Sequence, residues 1–136
     1  VEDQIDAAKV IGNYSFVDKS RIGIFGWSYG GFMASNCLLK GNDVFKMAIA
    51  VAPVTNWRFY DSIYTERYMT TPQENASGYD DNSPINHVSM QMMESLIQAN
   101  KQFDSQIYPD NNHGIYGGNT RIQLYNKMTN FIKENL

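Results

Sequence analysis

The stretch Arg21-Ile22-Gly23-Ile24-Phe25-Gly26-Trp27-Ser28-Tyr29-Gly30-Gly31 decides the fold, because it places the pattern G-x-S-x-G directly after a short apolar run. In this pattern a strand turns sharply into a helix, and the serine at the turn holds its hydroxyl above the sheet. The turn needs strained backbone, so the residues two before and two after Ser28 are expected to lack side chains. The apolar runs 21–25 and 32–39 supply the required strand and helix. A glycine-rich turn with an incidental serine is the alternative.

The same motif makes Ser28 a candidate nucleophile. The backbone N–H of Tyr29 is then the candidate donor to the oxyanion of a tetrahedral intermediate, assisted by the positive end of the following helix. A serine nucleophile needs a general base, usually histidine, and the chain has two. His113 follows a predicted strand and precedes the last helix, whereas no strand leads into His87. We predict that His113 is the base, on the same rim as Ser28 and within hydrogen-bond reach of it, with His87 as the alternative.

A triad acid is not evident in the sequence. The turn from strand to helix at the serine is called the nucleophile elbow. Hydrolases with this elbow use the chain order serine, acid, histidine, so the acid should follow a strand between residues 51 and 103. The run Asp80-Asp81-Asn82 has a suitable composition, but Ala76-Ser77-Gly78-Tyr79 before it is not a strand pattern. Three further carboxylates are better explained as capping or solvated groups: Asp61, Asp104 and Asp110. We therefore predict that no carboxylate makes the orienting hydrogen bond to His113.

Hydrophobic periodicity predicts an α/β fold with parallel strands. The apolar run that ends at Pro53 is typical of a parallel strand covered on both faces. Strands are predicted at 21–25, 46–51 and 103–108, and helices at 2–11, 29–40, 61–68, 89–99 and 119–135. In the last helix, five side chains are expected to be buried: Leu124, Tyr125, Met128, Phe131 and Ile132.

Composition excludes several classes of protein. The chain has 136 residues, of which 43% are hydrophobic and 18% charged, as in globular domains rather than disordered segments. Its net charge of −3, without a run of Lys or Arg, makes nucleic acid an unsuitable partner. No apolar stretch approaches the ~20 residues of a membrane span. No metal site and no cofactor are predicted.

Several segments together resemble the dipeptidyl peptidase IV family of the prolyl oligopeptidase clan of serine peptidases. They are residues 26–31, Val54 with 57–60, residues 61–69 and 113–115, of which Tyr-Thr-Glu-Arg-Tyr-Met at 64–69 is the most specific. The resemblance covers nearly the whole chain and implies an α/β-hydrolase fold, a three-layer α/β/α arrangement with a mostly parallel sheet. It implies Ser28 as nucleophile, His113 as base and Tyr29 as oxyanion donor.

The resemblance also implies a proline pocket. A proline ring is flat and apolar and lacks an N–H, so aromatic walls select it by shape and dispersion. Ordinary core packing is the alternative explanation of these side chains. The implied walls of the pocket are Val54, Trp57, Tyr60 and Tyr64.

The chain departs from the family pattern in three places. A strand and an acid-bearing loop are expected between Val88 and Ser89, which adjoin directly here. The first strands of the fold, with a tyrosine that completes the oxyanion hole, are expected before Val1. The paired glutamates that bind a substrate's amino terminus belong to a β-propeller. Residues 1–136 are therefore interpreted as one partial peptidase domain with an internal deletion at 88/89.

The leading functional hypothesis is a serine exopeptidase that acts on peptides with penultimate Pro or Ala, with low activity expected of this shortened chain. The resemblance implies a β-propeller partner in the parent, a homodimer of that parent, and a periplasmic, secreted or membrane-anchored location. The chain itself does not indicate a compartment. A generic esterase with the same elbow and a catalytically inert fragment are the alternatives.

Overall fold

The computed structural model of the chain describes residues 1–41, 43–83, 89–98 and 100–136. The chain divides into two compact units, a first unit of 1–53 with 106–136 and a second unit of 54–105. Strands and helices alternate in the first unit, as predicted for an α/β fold. The elements in chain order are α1 (Glu2–Ile11), β1 (Gly23–Trp27), α2 (Tyr29–Lys40), β2 (Met47–Val51), a 3₁₀ helix η1 (Trp57–Phe59), α3 (Ser62–Met69), α4 (Ala76–Asp81), α5 (Ser89–Gln98) and α6 (Thr120–Asn135).

A parallel pair of strands forms the centre of the first unit. Strand β1 pairs with β2 in a register that runs from Gly23 opposite Met47 to Trp27 opposite Val51. Helix α2 connects them and occupies the predicted residues, while both strands lie within two residues of their predicted positions. The strand–helix–strand prediction is therefore confirmed.

Two apolar clusters hold this unit together. In the first, the buried side chains of Ala8, Cys37 and Phe45 join α1 to α2 and to the entry into β2. Burial also raises the pKa of the Cys37 thiol, so the thiol stays protonated. In the second, Val51 packs with Ile115 and Leu124, which brings the segment after residue 106 and helix α6 against the end of β2.

A turn stabilised by Asp18 leads into β1. The Asp18 carboxylate accepts hydrogen bonds from the backbone and hydroxyl of Ser20, at 3.0 and 2.6 Å, and pairs with Arg21 at 2.7 Å. These hydrogen bonds lower the pKa of the Asp18 carboxyl to about 2. Arg21 also donates to the carbonyl of Leu136 at 3.4 Å, so the start of β1 and the end of α6 lie together.

The predicted strand at 103–108 is wrong, because the structure has no regular element there. Phe103 and Ile107 are 38% and 69% exposed, respectively. Alternating apolar residues indicate a strand only where a neighbouring strand can take up the backbone hydrogen bonds. Among the described residues the sheet consists of β1 and β2 alone, and neither pairs with this segment.

Helix α6 lies within the predicted range, but its predicted burial is only partly correct. Leu124 is buried, Met128 and Phe131 are half-buried, and Tyr125 and Ile132 are 49% and 41% exposed. A helix buries only the part of its apolar stripe that a neighbouring element covers. In α6 the apolar stripe is wider than the surface covered by the cluster of Val51, Ile115 and Leu124.

The second unit contains short helices, as the sequence indicated for much of this region. Asp61 caps α3 by accepting a hydrogen bond from the backbone N–H of Tyr64 at 2.9 Å. Asp80 and Asp81, considered for an acid-bearing loop, lie in helix α4 instead. Helix α5 begins at the predicted Ser89, and residues 84–88, which include His87 and Val88, lie outside the described residues. No helix in the described ranges is long and apolar enough to span a membrane.

Candidate active site

Ser28 lies at the strained turn that the motif predicts. Its φ of 59° and ψ of −118° are unusual for a residue with a side chain, and such backbone costs about 1–3 kcal/mol. Hydrogen bonds on both sides hold the turn. The Ser28 N–H donates to the carbonyl of Val51 at 2.9 Å, and the Ser28 carbonyl accepts from the N–H of Phe32 at 3.0 Å. The sheet and the helix therefore both fix the position of Ser28.

Close backbone contacts explain two of the glycines around Ser28. A Cβ at Gly26 would lie 1.9 Å from the carbonyl oxygen of Gly30, which no backbone can accept without moving. A Cβ at Gly31 would lie 3.0 Å from Cβ of Pro53, whereas one at Gly30 would meet nothing within 4 Å. The expectation that both glycines two away from Ser28 must lack a side chain is thus wrong for Gly30. The tight position on the helix side is Gly31.

Tyr29 is the first residue of helix α2. The first N–H groups of a helix point out of its N-terminal end, where the helix dipole is positive. This is the position that an oxyanion donor next to Ser28 requires. The side chain of Tyr29 is 51% exposed, and its ring lies 5.4 Å from that of Phe32.

A hydrogen bond brings the His113 loop to the end of β1. The indole Nε1 of Trp27, the residue before Ser28, donates to the backbone carbonyl of His113 at 3.1 Å. This contact brings the backbone of His113 to the side chain of Trp27, the last residue of β1. The placement of the His113 ring on the same rim as Ser28 stays a prediction. No described hydrogen bond joins Ser28 Oγ to the ring of His113, however, so the expected direct contact is absent. The His113 side chain is exposed, and such contacts often tighten only when substrate binds.

The loop that carries His113 is stabilised by residues that the sequence analysis missed. The Arg121 guanidinium donates to the carbonyl of Gly114 at 3.1 Å and lies 5.6 Å from the ring centroid of Tyr116. Asn112 accepts from the N–H of Gly114 at 3.0 Å and donates to the Tyr116 hydroxyl at 3.0 Å. The position of His113 between a predicted strand and the last helix gave no indication of these contacts.

All fourteen acidic residues fall within the described part of the chain. The hydrogen bonds described for them include none to the ring of His113. Asp80 is engaged by Arg58, whose Nε and Nη2 donate to its two carboxylate oxygens at 2.6 and 2.8 Å. That hydrogen bonding lowers the pKa of the Asp80 carboxyl, so Asp80 stays ionised beside its partner. The absence of an orienting acid stays a prediction that activity measurements test.

The residues assigned to a proline pocket cluster in the second unit. The ring of Trp57 stacks on that of Tyr64, with centroids 6.3 Å apart and planes at 17°, and Tyr60 meets both rings edge-on. Val54 and Trp57 are buried, as ordinary core packing would also require. Tyr60 and Tyr64 are 40% and 43% exposed, which core packing does not explain. Tyr68, which the sequence analysis did not assign, extends the cluster at 5.2 Å from Tyr64.

The described residues offer no alternative site for a metal. No group of three or more His, Cys, Asp or Glu side chains among them could hold a metal ion. At the turn itself the described groups are the Ser28 hydroxyl and the backbone N–H of Tyr29 at the start of α2.

Comparison with known proteins identifies the family of the chain. Residues 1–90 and 86–136 match the prolyl oligopeptidase family. A probable dipeptidyl-aminopeptidase B of Podospora anserina is 43% identical over 156 aligned positions, which cover 96% of this chain and 17% of that protein. Dipeptidyl peptidase 4 of Felis catus is 39% identical over 98% of this chain and 21% of that protein.

Solved structures agree with the sequence relatives. The crystal structure of Porphyromonas gingivalis dipeptidyl peptidase 4 matches with a TM-score of 0.93 and 48% identity, over 99% of this chain and 22% of that one. A putative dipeptidyl aminopeptidase IV from Bacteroides ovatus matches with a TM-score of 0.88 and 29% identity, over 98% and 22%. The chain thus spans 17–22% of the length of these relatives. It has a partial α/β-hydrolase fold, and it belongs to the prolyl oligopeptidase family.

Proposed function

We propose that this chain is part of the catalytic domain of a serine exopeptidase that releases X-Pro and X-Ala dipeptides from peptide amino termini. The observation that carries the proposal is the strained Ser28 between β1 and α2, with the His113 loop hydrogen-bonded to the adjacent Trp27. Membership of the prolyl oligopeptidase family and the similarity to dipeptidyl peptidases support the choice of reaction.

The proposed reaction is acyl transfer in two steps. Ser28 Oγ attacks the scissile carbonyl carbon while His113 takes the hydroxyl proton, and the N–H of Tyr29 stabilises the oxyanion. His113 then gives the proton to the leaving amine, and the dipeptide remains as an ester on Ser28. Water attacks this ester with His113 again as base, which releases the dipeptide and restores Ser28.

The aromatic cluster is the proposed recognition surface for proline. Stacked and edge-on rings present flat apolar faces, and the half-exposed rings of Tyr60 and Tyr64 leave such faces accessible. A proline ring gains dispersion and burial on these faces without losing an N–H hydrogen bond. Alanine fits the same space with less contact. Val54 and Trp57 are the proposed buried backing of the surface.

Further parts of the active enzyme are proposed to lie outside this chain. The two segments that match the family overlap only at residues 86–90, and the aligned relative needs 156 positions to cover 96% of the 136 residues. Both facts support an internal deletion near 88/89. We propose that this deletion removes the triad acid. The small share of each relative that is covered supports a parent with a further domain. The family resemblance alone suggests that this domain is a β-propeller and that the parent is a homodimer.

One observation favours the alternative of an inert fragment. The exposed ring of His113 makes no described hydrogen bond to Ser28 or to a carboxylate, so nothing described here orients it. Nothing in the structure favours a generic esterase over a peptidase.

Covalent probes separate these alternatives without needing turnover. The chain is treated with two aminoacyl diphenyl phosphonates that differ only in the P1 group, a proline analogue or a straight-chain residue, and the adduct is located by mass spectrometry. We expect an adduct on Ser28 that forms at least about tenfold faster with the proline analogue. Equal rates would indicate a generic hydrolase, and no adduct in either case would indicate an inert fragment. The control is Ser28→Ala, which should give no adduct.

A further inference from the structure

The 3₁₀ helix η1, which carries Trp57, is too short to fix its own orientation. It spans three residues, and its backbone hydrogen bonds are long, at 3.3 Å from Phe59 N to Asn56 O and 3.2 Å from Tyr60 N to Trp57 O. A single turn with such bonds is a weak support for a large side chain. The buried ring of Trp57 must therefore be positioned by contacts from outside η1.

Contacts to η1 come from helix α4 and from Ser83, which lies just beyond the end of α4. The N–H of Trp57 donates to the hydroxyl of Ser83 at 3.1 Å, and that hydroxyl donates to the carbonyl of Tyr79 at 2.6 Å. Beside it, Arg58 binds both carboxylate oxygens of Asp80 through two parallel hydrogen bonds, and its guanidinium lies 5.8 Å from the ring centroid of Tyr79. The two-pronged contact with Asp80 restrains direction as well as distance.

The same helix is also tied to the end of α3. Tyr79 is 1% exposed, and its hydroxyl donates to the carbonyl of Thr70, the C-cap of α3, at 2.7 Å. Asn75, the N-cap of α4, donates to the carbonyl of Met69 at 2.9 Å. Since α3 carries Tyr64 and η1 carries Trp57, helix α4 connects the two elements whose rings stack.

We propose that Arg58 and Asp80 are positioning residues, which set the separation of Trp57 and Tyr64 and thereby the preference of the enzyme for proline at P1. This inference rests on the proposed function, since it deepens the role given to the aromatic cluster. Neither residue contacts the substrate in this account. Asp80 holds Arg58 in place, and Arg58 in turn fixes the orientation of η1. The aromatic rings alone contact the substrate.

The test uses near-ultraviolet circular dichroism of the full chain, which reports the fixed environment of aromatic rings. The part of the spectrum that disappears in Trp57→Phe defines the Trp57 band. Asp80→Asn and Arg58→Gln should lose this band while the far-ultraviolet spectrum keeps its helical shape. The double variant Arg58→Asp with Asp80→Arg should recover the Trp57 band. It exchanges the two side chains, so the pair of parallel hydrogen bonds can form again with the guanidinium on α4. Asp81→Asn, a neighbouring exposed carboxylate in α4, is the matched control and should leave the band unchanged.

The reaction at Ser28 provides a second readout. In Asp80→Asn the preference for the proline phosphonate over the straight-chain one should fall by about tenfold, while the rate with a simple alkyl fluorophosphonate stays unchanged. Arg58→Lys keeps the positive charge but cannot form both parallel hydrogen bonds to Asp80. It is the milder variant to use if Asp80→Asn does not fold. It should lose part of the band and part of the preference.

Two results would overturn the inference. One is a Trp57 band that persists in Asp80→Asn or, if that variant does not fold, keeps its full intensity in Arg58→Lys. The other is a band that is lost and not recovered in the double variant, which would give Arg58 and Asp80 a general structural role only. A failure of Ser28 to react with any phosphonate would refute the proposed function instead, and it would leave the spectroscopic result standing.

Discussion

Restoring a triad acid is expected to raise the turnover of a Gly-Pro anilide by this chain about 10⁴-fold. A strand and acid-bearing loop of the kind that the family resemblance implies would be inserted between Val88 and Ser89, and kcat would be compared with that of the unmodified chain. The reason is physical: without a carboxylate on its second nitrogen, the imidazole of His113 has no fixed tautomer. A carboxylate there would also stabilise the imidazolium that forms during attack by Ser28.

The control for this comparison is the same insertion with the catalytic aspartate replaced by asparagine. It restores the length of the chain and the added strand but not the charge, and it should remain near the activity of the unmodified chain. Ready turnover by the unmodified chain would contradict the proposal that the deletion removes the acid.

The second large effect concerns the backbone at the elbow. Gly26→Ala would place a Cβ 1.9 Å from the carbonyl oxygen of Gly30, so β1 and α2 would have to separate. We expect the free energy of unfolding to fall by about 3 kcal/mol or more. Urea denaturation of the variant and the original chain measures this change.

Gly30→Ala is the matched control for Gly26→Ala. Its Cβ would meet no atom within 4 Å, and it lies in the first turns of α2. Alanine is the better helix former, so this substitution should change the free energy of unfolding by no more than about 1 kcal/mol, in the stabilising direction. Equal losses in the two variants would mean that the contact between Gly26 and Gly30 is not what restricts the turn.

The fold around Ser28 could be predicted from sequence because the elements that form it lie close together along the chain. The motif around Ser28 requires a strand before it and a helix after it, and the apolar run before Pro53 requires a second strand. Each of these conditions is satisfied within about thirty residues of chain, the size of one βαβ unit. β1, α2 and β2 were accordingly predicted to within two residues.

The errors concern features that depend on distant partners. The strand at 103–108 needs a neighbouring strand, and the alternation of Phe103 and Ile107 does not reveal whether one is present. The burial of Tyr125 and Ile132 likewise depends on what covers α6. The hydrogen bond from Trp27 to His113 joins residues 86 positions apart, which no local pattern encodes.

The candidate site was predicted unevenly for the same reason. Ser28 and His113 followed from a motif and from a choice between two histidines. Arg121, which stabilises the His113 loop, and Arg58, which binds Asp80 in the second unit, have no motif of their own. Ion pairs between elements become visible only when the fold brings those elements together.

The most direct test of this account is the rate at which an alkyl fluorophosphonate labels Ser28 in His113→Gln and in His87→Gln. Each variant removes one of the two imidazoles and keeps a polar side chain of similar size. If His113 is the base, its replacement should slow labelling by about 10²-fold, while the replacement of His87 leaves the rate unchanged. Equal labelling rates in the unmodified chain and both variants would contradict the pairing of Ser28 with His113. Slower labelling only in His87→Gln would contradict it as well.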